Sequence, residues 1–150
     1  MQSENLLNKI HKAIKEKNYL VAKKLLEKAL ETNKKSYELF YNLGMVYKNL
    51  KNYEEAISAF QRCLEINNNH GVVFYELAKI YKRQERYFLS SNNIEQAILL
   101  ESKNYWFLML YAELLYMQSD YIKASEQYKI LIDIKPKDQQ LYFMLAEMYV

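Results

Sequence analysis

Small side chains recur in this sequence at a fixed interval of 34 residues, and nothing else in it constrains the fold as tightly. Gly44, Ala78, Ala112 and Ala146 form one series. Four residues before each member stands Phe40, Phe74, Leu108 or Tyr142, and three residues after stands Tyr47, Tyr81, Leu115 or Tyr149. A second series, Ala22, Ala56, Ser90 and Ala124, is followed four residues on by Leu26, Phe60, Ile94 and Tyr128. A third runs Ala29, Cys63, Ala97 and Leu131, and a fourth is tyrosine throughout, at Tyr19, Tyr53, Tyr87 and Tyr121. Gly44 lies in "YNLGMVYKNLKNYEEAISAF", which otherwise reads as helix, and a mid-helix glycine costs about 1 kcal/mol relative to alanine. The recurrence of alanine at the same phase implies that Gly44 faces a neighbouring helix, the one carrying Ala56, where a larger side chain would hold the backbones apart.

Each 34-residue unit therefore reads as helix, short turn, helix, with frames 3–36, 37–70, 71–104, 105–138 and an incomplete 139–150. Asn18, Asn52 and Asp120 precede the conserved-phase tyrosines and can accept hydrogen bonds from orphan helix amides, while Arg86 at the same phase cannot. Ser36, Asn104 and Asp138 precede the other helix of the unit in the same way. One proline and two glycines are too few for a sheet-rich fold, which needs turn-formers roughly every 8–12 positions. An apolar content of 51% suffices for a buried interior. The fold class expected is all-α.

The stretch "YELFYNLGMVYKNLKNYEEAISAFQRCLEINNN" resembles a tetratricopeptide repeat, whose signature sets large, leucine, small and tyrosine positions in the first helix and alanine, phenylalanine and alanine in the second, then proline. The resemblance covers nearly the whole chain. It implies an α-solenoid, a right-handed superhelix of antiparallel helix hairpins, with about four units plus an unpaired final helix. Departures are local. Lys9 and Ile10 replace the leucine and small residue of the first unit, marking an end-capping helix with one polar face. "SSNN", Ser90 to Asn93, sits inside a second helix at a propensity cost of roughly 2 kcal/mol. Pro136 alone fills the terminal proline position, with Lys34, Asn68 and Ser102 elsewhere. The end, "LYFMLAEMYV", is a first helix with no partner after it, as expected of a fragment of a longer array or of a surface that pairs with another copy as a homodimer.

Residues able to do chemistry are scattered. His11 and His70 lie nearly two units apart with no carboxylate or cysteine at metal-ligand spacing, so no metal and no cofactor are expected. Cys63 falls in a small core slot and reads as a packed thiol; as the one cysteine it excludes an internal disulfide. Gly44 and Gly71 stand alone and form no phosphate-cradling loop. Glu54 and Glu55 open a helix, where carboxylates suit the dipole. No enzymatic site is expected. A net charge of +3 with evenly spread lysines does not mark nucleic acid or an anionic membrane as the main partner. No apolar run reaches membrane-span length and "MQSENLLNKIHK" lacks a signal peptide's apolar segment, so a cytoplasmic location is the default expectation.

What remains is a surface. In the family, first helices line a concave groove that contacts peptides, and carried over by phase the groove positions are Tyr41, Asn42 and Met45, then Tyr75, Lys79, Lys82 and Arg83, then Trp106, Met109, Leu110, Glu113 and Met117. The same phase adds Lys48, Asn49, Glu76, Tyr116, Phe143, Met144 and Glu147. The implied partner is a protein or peptide segment whose acidic group meets Lys79, Lys82 or Arg83 and whose apolar anchor enters near Trp106 and Met109. Three other readings stand beside it: the lysines as an ordinary solvated face, the Trp106 region as a contact with another copy in an oligomer, and single-stranded nucleic acid bound through Lys79, Lys82, Arg83 and neighbouring tyrosines. The carboxylate clamp that holds heat-shock-chaperone tails is not matched: Asn42 fits, but Leu7, His11, Val72 and Glu76 occupy the other slots, so no chaperone-tail binding is expected.

Overall fold

The 34-residue rhythm reappears in the computed structural model as an unbroken succession of helices among the described residues, 2–149. First helices of the units are α1 (Gln2–Lys15), α3 (Tyr37–Asn49), α5 (Gly71–Arg83), α7 (Tyr105–Met117) and α9 (Gln139–Glu147), and second helices are α2 (Tyr19–Thr32), α4 (Tyr53–Ile66), α6 (Tyr87–Leu100) and α8 (Tyr121–Ile134). Val150, the last residue of the expected half unit, lies outside the described residues. Contacts divide the chain into two compact units, Met1–Asn69 and His70–Val150.

In the first unit the buried core joins Ile10 and Ala13 of α1, Ala22, Leu26 and Ala29 of α2, Leu39, Leu43 and Val46 of α3, and Ala59 of α4. Ile10, which replaces a small residue, is fully buried, so α1 keeps an apolar face inward while its lysines stay outside. The glycine at position 44 is demanded by a ring. A Cβ there would lie 2.6 Å from Cε1 and 2.7 Å from Cδ1 of Phe60, one turn beyond Ala56 on α4. Phe60 is itself fully buried, and its ring also packs at a tilt on Tyr41, centroids 6.1 Å apart.

In the second unit one cluster joins Ala78, Ile94, Ala97, Phe107, Leu110 and Leu114, and another joins Leu108, Ala112, Tyr128, Leu131 and Leu141. Ala78, Ala112, Ser90 and Ala124 are wholly buried. Ser90 is tolerated in a helix interior because its hydroxyl donates to the Ala78 carbonyl across the hairpin at 2.7 Å. Asn93 likewise turns its amide back onto the Leu89 carbonyl, at 2.8 Å. Ala146 alone of its series is exposed, because no second helix follows α9 among the described residues.

Within every hairpin the turn has one construction. Lys17, Lys51, Glu85 and Ser119, again 34 apart, adopt φ of 58°, 63°, 59° and 62°. After each, the next amide reaches back five residues, as from Asn52 to the Tyr47 carbonyl (2.9 Å), while the left-handed residue itself bonds three residues back, as from Lys51 to Lys48 (3.0 Å). This is a Schellman closure, usually made with glycine. The caps that follow are uneven. Asn18 and Asp120 accept from Val21 and Lys123 amides, whereas the Asn52 side chain makes no cap bond, contrary to its sequence reading. Ser36, Asn104 and Asp138 cap α3, α7 and α9.

Two outcomes follow for chemical denaturation. Gly44→Ala gains about 1 kcal/mol of helix propensity but overpacks a rigid ring at a cost of roughly 1–3 kcal/mol, so it destabilises, and Phe60→Leu in the same chain recovers part of the loss. Lys51→Gly removes a left-handed strain of about 1–2 kcal/mol, partly offset by chain entropy, and raises the melting temperature by roughly 2–4 °C per net kcal/mol.

Candidate functional site

The exposed faces of first helices carry the groove positions, and each unit presents its own set. In the first unit Tyr41 is half-buried, stacked on Tyr37 with centroids 6.4 Å apart and planes at 6°. Asn42 and Met45 lie beside it, also half-buried, and Asn49 donates to the Met45 carbonyl at 2.8 Å. His11 and Glu38 approach at 3.5 Å on the surface. The Cys63 thiol is fully buried, donates to the Tyr37 carbonyl at 3.5 Å, and is pushed up to about 12 by burial, so at neutral pH it is neither thiolate nor nucleophile.

The second unit is richer in charge. Tyr75 packs its ring on Phe107 at 5.1 Å and carries the Lys79 ammonium 4.5 Å from its centroid. Lys79 also pairs with Glu76 at 3.0 Å, a carboxylate almost completely buried. Lys82 crosses from α5 to α7 and pairs with Glu113, Nζ to Oε2, at 2.6 Å. Arg83 is exposed at the end of α5. The lysines singled out for an acidic partner are therefore already neutralised by the protein's own carboxylates. Any ligand acid competes with Glu76 and Glu113 for them.

Along α7 the residues diverge. Leu110 is buried in the core beside Phe107 and Leu114 and offers no usable surface. Met109 is half-buried against the cluster of Leu108 and Tyr128, and Met117 is 47% exposed at the helix end. Trp106 is 63% exposed and belongs to a separate aromatic group. Its ring meets Tyr105 edge-on at 5.3 Å, the Lys135 ammonium stands 3.8 Å above Tyr105 and 5.6 Å from Trp106, and the Tyr105 hydroxyl donates to Asp138 at 3.2 Å. Eleven residues of helix separate Trp106 from Met117, about 16 Å, so the two mark opposite ends of α7. Tyr105 and Lys135 were not singled out by sequence, and Asp138 only as a helix cap; the tyrosine beside a tryptophan at a helix start was the one signal of this group. On α9, Phe143 is 63% exposed and Glu147 is exposed.

This scaffold has known counterparts. Residues 37–70 match the family model described as tetratricopeptide repeat. That stretch is a tetratricopeptide repeat. No curated protein sequence matches it. The crystal structure of MamA superposes with a TM-score of 0.89 at 17% identity, covering 98% of this chain and 80% of that one. MamA 41-end from Desulfovibrio magneticus RS-1 gives 0.87 at 18% identity over 97% and 82%. YrrB, described as a TPR protein with an unusual peptide-binding site, gives 0.83 at 19% identity over 96% and 74%. At such identities the likeness shows a shared fold, an all-α helical-repeat solenoid. Among the described residues no helix is long and apolar enough to cross a membrane, and no group of three His, Cys, Asp or Glu side chains is placed to hold a metal ion.

The Lys82 and Glu113 pair ties successive repeats of the second unit, and both side chains are partly shielded, at 29% and 42% exposure. A double-mutant cycle with Lys82→Met and Glu113→Gln in urea should return a coupling of about 0.5–1 kcal/mol that shrinks in 1 M salt. Zero coupling at low salt would mean that the pair does not persist in solution.

Proposed function

We propose that this protein is a non-catalytic protein-interaction scaffold that holds a segment of a partner protein against the exposed faces of its first helices. The observation that carries the reading is the exposed aromatic and methionine surface on those helices: Trp106, Tyr116, Met117 and Phe143 are each more than a third open to solvent, while the apolar side chains exposed on the second helices, Leu20, Phe88, Leu99 and Ile122 among them, are mostly aliphatic. Aromatic and methionine side chains at the surface are the composition of interface cores. YrrB is described as peptide-binding, and a complex of Naa15 and Naa10 bound to HypK contains a similar array, with a TM-score of 0.77 at 18% identity over 99% of this chain and 22% of that one. Both support a protein or peptide as the partner. The absence of a free cationic strip argues against single-stranded nucleic acid as the ligand, since Lys79 and Lys82 are already paired.

A second reading has its own observation. Tyr142, Phe143 and Tyr149 of the last segment are 47%, 63% and 66% exposed, and the small slot at Ala146 is open, so another copy of the chain could cover α9.

Trp106 is the single tryptophan, which makes its emission a site-specific reporter. Peptide engagement at this end of α7 should blue-shift and strengthen that emission when synthetic peptide pools containing leucine or phenylalanine anchors are titrated in, and Trp106→Ala should weaken their binding about tenfold, as for an interface anchor. Saturable binding that leaves the emission unchanged places the anchor elsewhere. Light scattering on the same samples without peptide distinguishes the second reading, which requires a mass that rises with concentration and falls in Phe143→Lys.

A further inference from the structure

Each second helix carries an outer ridge of four residues, spaced so that its members share one helix face. In α2, α4 and α8 that ridge ends on an exposed acid, Glu31, Glu65 or Asp133, although a carboxylate in the last turn meets the unfavourable end of the helix dipole. In α6 the four positions are Phe88, Asn92, Glu95 and Leu99. The terminal acid has become leucine. The first position is apolar in two other helices, as Leu20 and Ile122, but α6 alone of the four is apolar at both ends of the ridge.

The structure turns this ridge to solvent. Phe88 is 76% and Leu99 77% exposed, and Asn92 and Glu95 between them are exposed as well. The opposite side of α6 carries its buried residues, Ser90, Ile94 and Ala97, so the ridge faces away from the core of the second unit. Glu95 is the single charged side chain of the helix. One of its oxygens accepts from the Tyr111 hydroxyl at 3.1 Å, which steadies the carboxylate and leaves the other oxygen open. Two large apolar side chains thus stand about 16 Å apart on one face, with an amide and an acid between them.

The order apolar, amide, acid, apolar is its own complement when reversed. A second α6 laid antiparallel, about a two-fold axis midway between Asn92 and Glu95, sets Phe88 of each copy against Leu99 of the other and lets each Asn92 amide donate to the other Glu95 carboxylate. A parallel pair would set Glu95 against Glu95, which like charge disfavours. The ridges of α2, α4 and α8 fail the same operation, because each would bring its terminal acid onto an apolar residue or onto Glu54. A lipid surface selects cations beside the apolar residues, and this ridge offers an acid. We propose that the outer face of α6 is a self-association surface, on which two copies of the chain pair antiparallel through Phe88 and Leu99, with Asn92 and Glu95 at the centre. The contact is one helix wide and about 21 Å long, small for a specific interface, so the dimer is weak and micromolar. It engages neither the first-helix faces nor α9, and peptide binding does not depend on it.

The test is sedimentation velocity on the full chain from low to high micromolar concentration, where the mass should rise toward that of a dimer. Leu99→Glu gives α6 the acid that the other second helices carry. It should weaken the dimer about hundredfold, since the change acts at both ends of the two-fold, while the circular dichroism melt stays as it was. Asn92→Lys sets an ammonium against Glu95 of the other copy twice over and should tighten the dimer about tenfold in low salt, a gain lost in 1 M salt. Phe143→Lys, on α9, should leave the association unchanged. A monomer at every concentration overturns the proposal, and flotation of that monomer with phosphatidylcholine vesicles, lost in Leu99→Glu, would assign the ridge to lipid instead. A dimer that survives Leu99→Glu and dissociates in Phe143→Lys overturns it in favour of α9. Weakening by Asn92→Lys overturns the antiparallel pairing. None of these outcomes bears on peptide binding, which the Trp106 emission reports separately.

Discussion

How closely two helices approach is set by the smallest side chain between them, and the rest of this structure depends on that limit being met at every hairpin. Phe60 fits against α3 only because Gly44 has no Cβ, and the wholly buried Ala78 and Ala112 hold the equivalent places later. Close approach then brings the second-helix small residues inward, so that even Ser90 finds a backbone carbonyl within bonding reach. Within each unit the buried residues form small clusters between successive helices.

That packing logic was legible in the sequence, because a steric requirement repeated at constant phase leaves the same residue type at the same interval. The helix pairs and the buried state of Cys63 follow from it. Turn conformation was not legible. Lys17, Lys51, Glu85 and Ser119 share no side-chain property, since what they share is a backbone dihedral that glycine would adopt more cheaply. Asn52 illustrates the converse: the right residue type stands at the cap, with the same turn closure as Asn18 and Asp120, yet its side chain makes no cap bond.

The candidate site was read less well, for a different reason. Phase along a helix says which residues share a face but not which of them find each other between repeats. Lys79 and Lys82 shared the expected face, and neither is available as a bare cation, because Glu76 lies one turn before one and Glu113 meets the other across the helix gap. Leu110 had the right phase and is buried.

The left-handed turns have one more consequence. Since their strain is confined to single residues between the two helices of a hairpin, its release does not propagate through the array. Every hairpin thus carries an independent setting for its own opening equilibrium, and amide protection can differ from one repeat to the next while the packing surfaces stay the same. Selection acting on four scattered residues could in this way decide which part of the ribbon yields first to a ligand, a protease or a pulling force, without altering a single contact in the core.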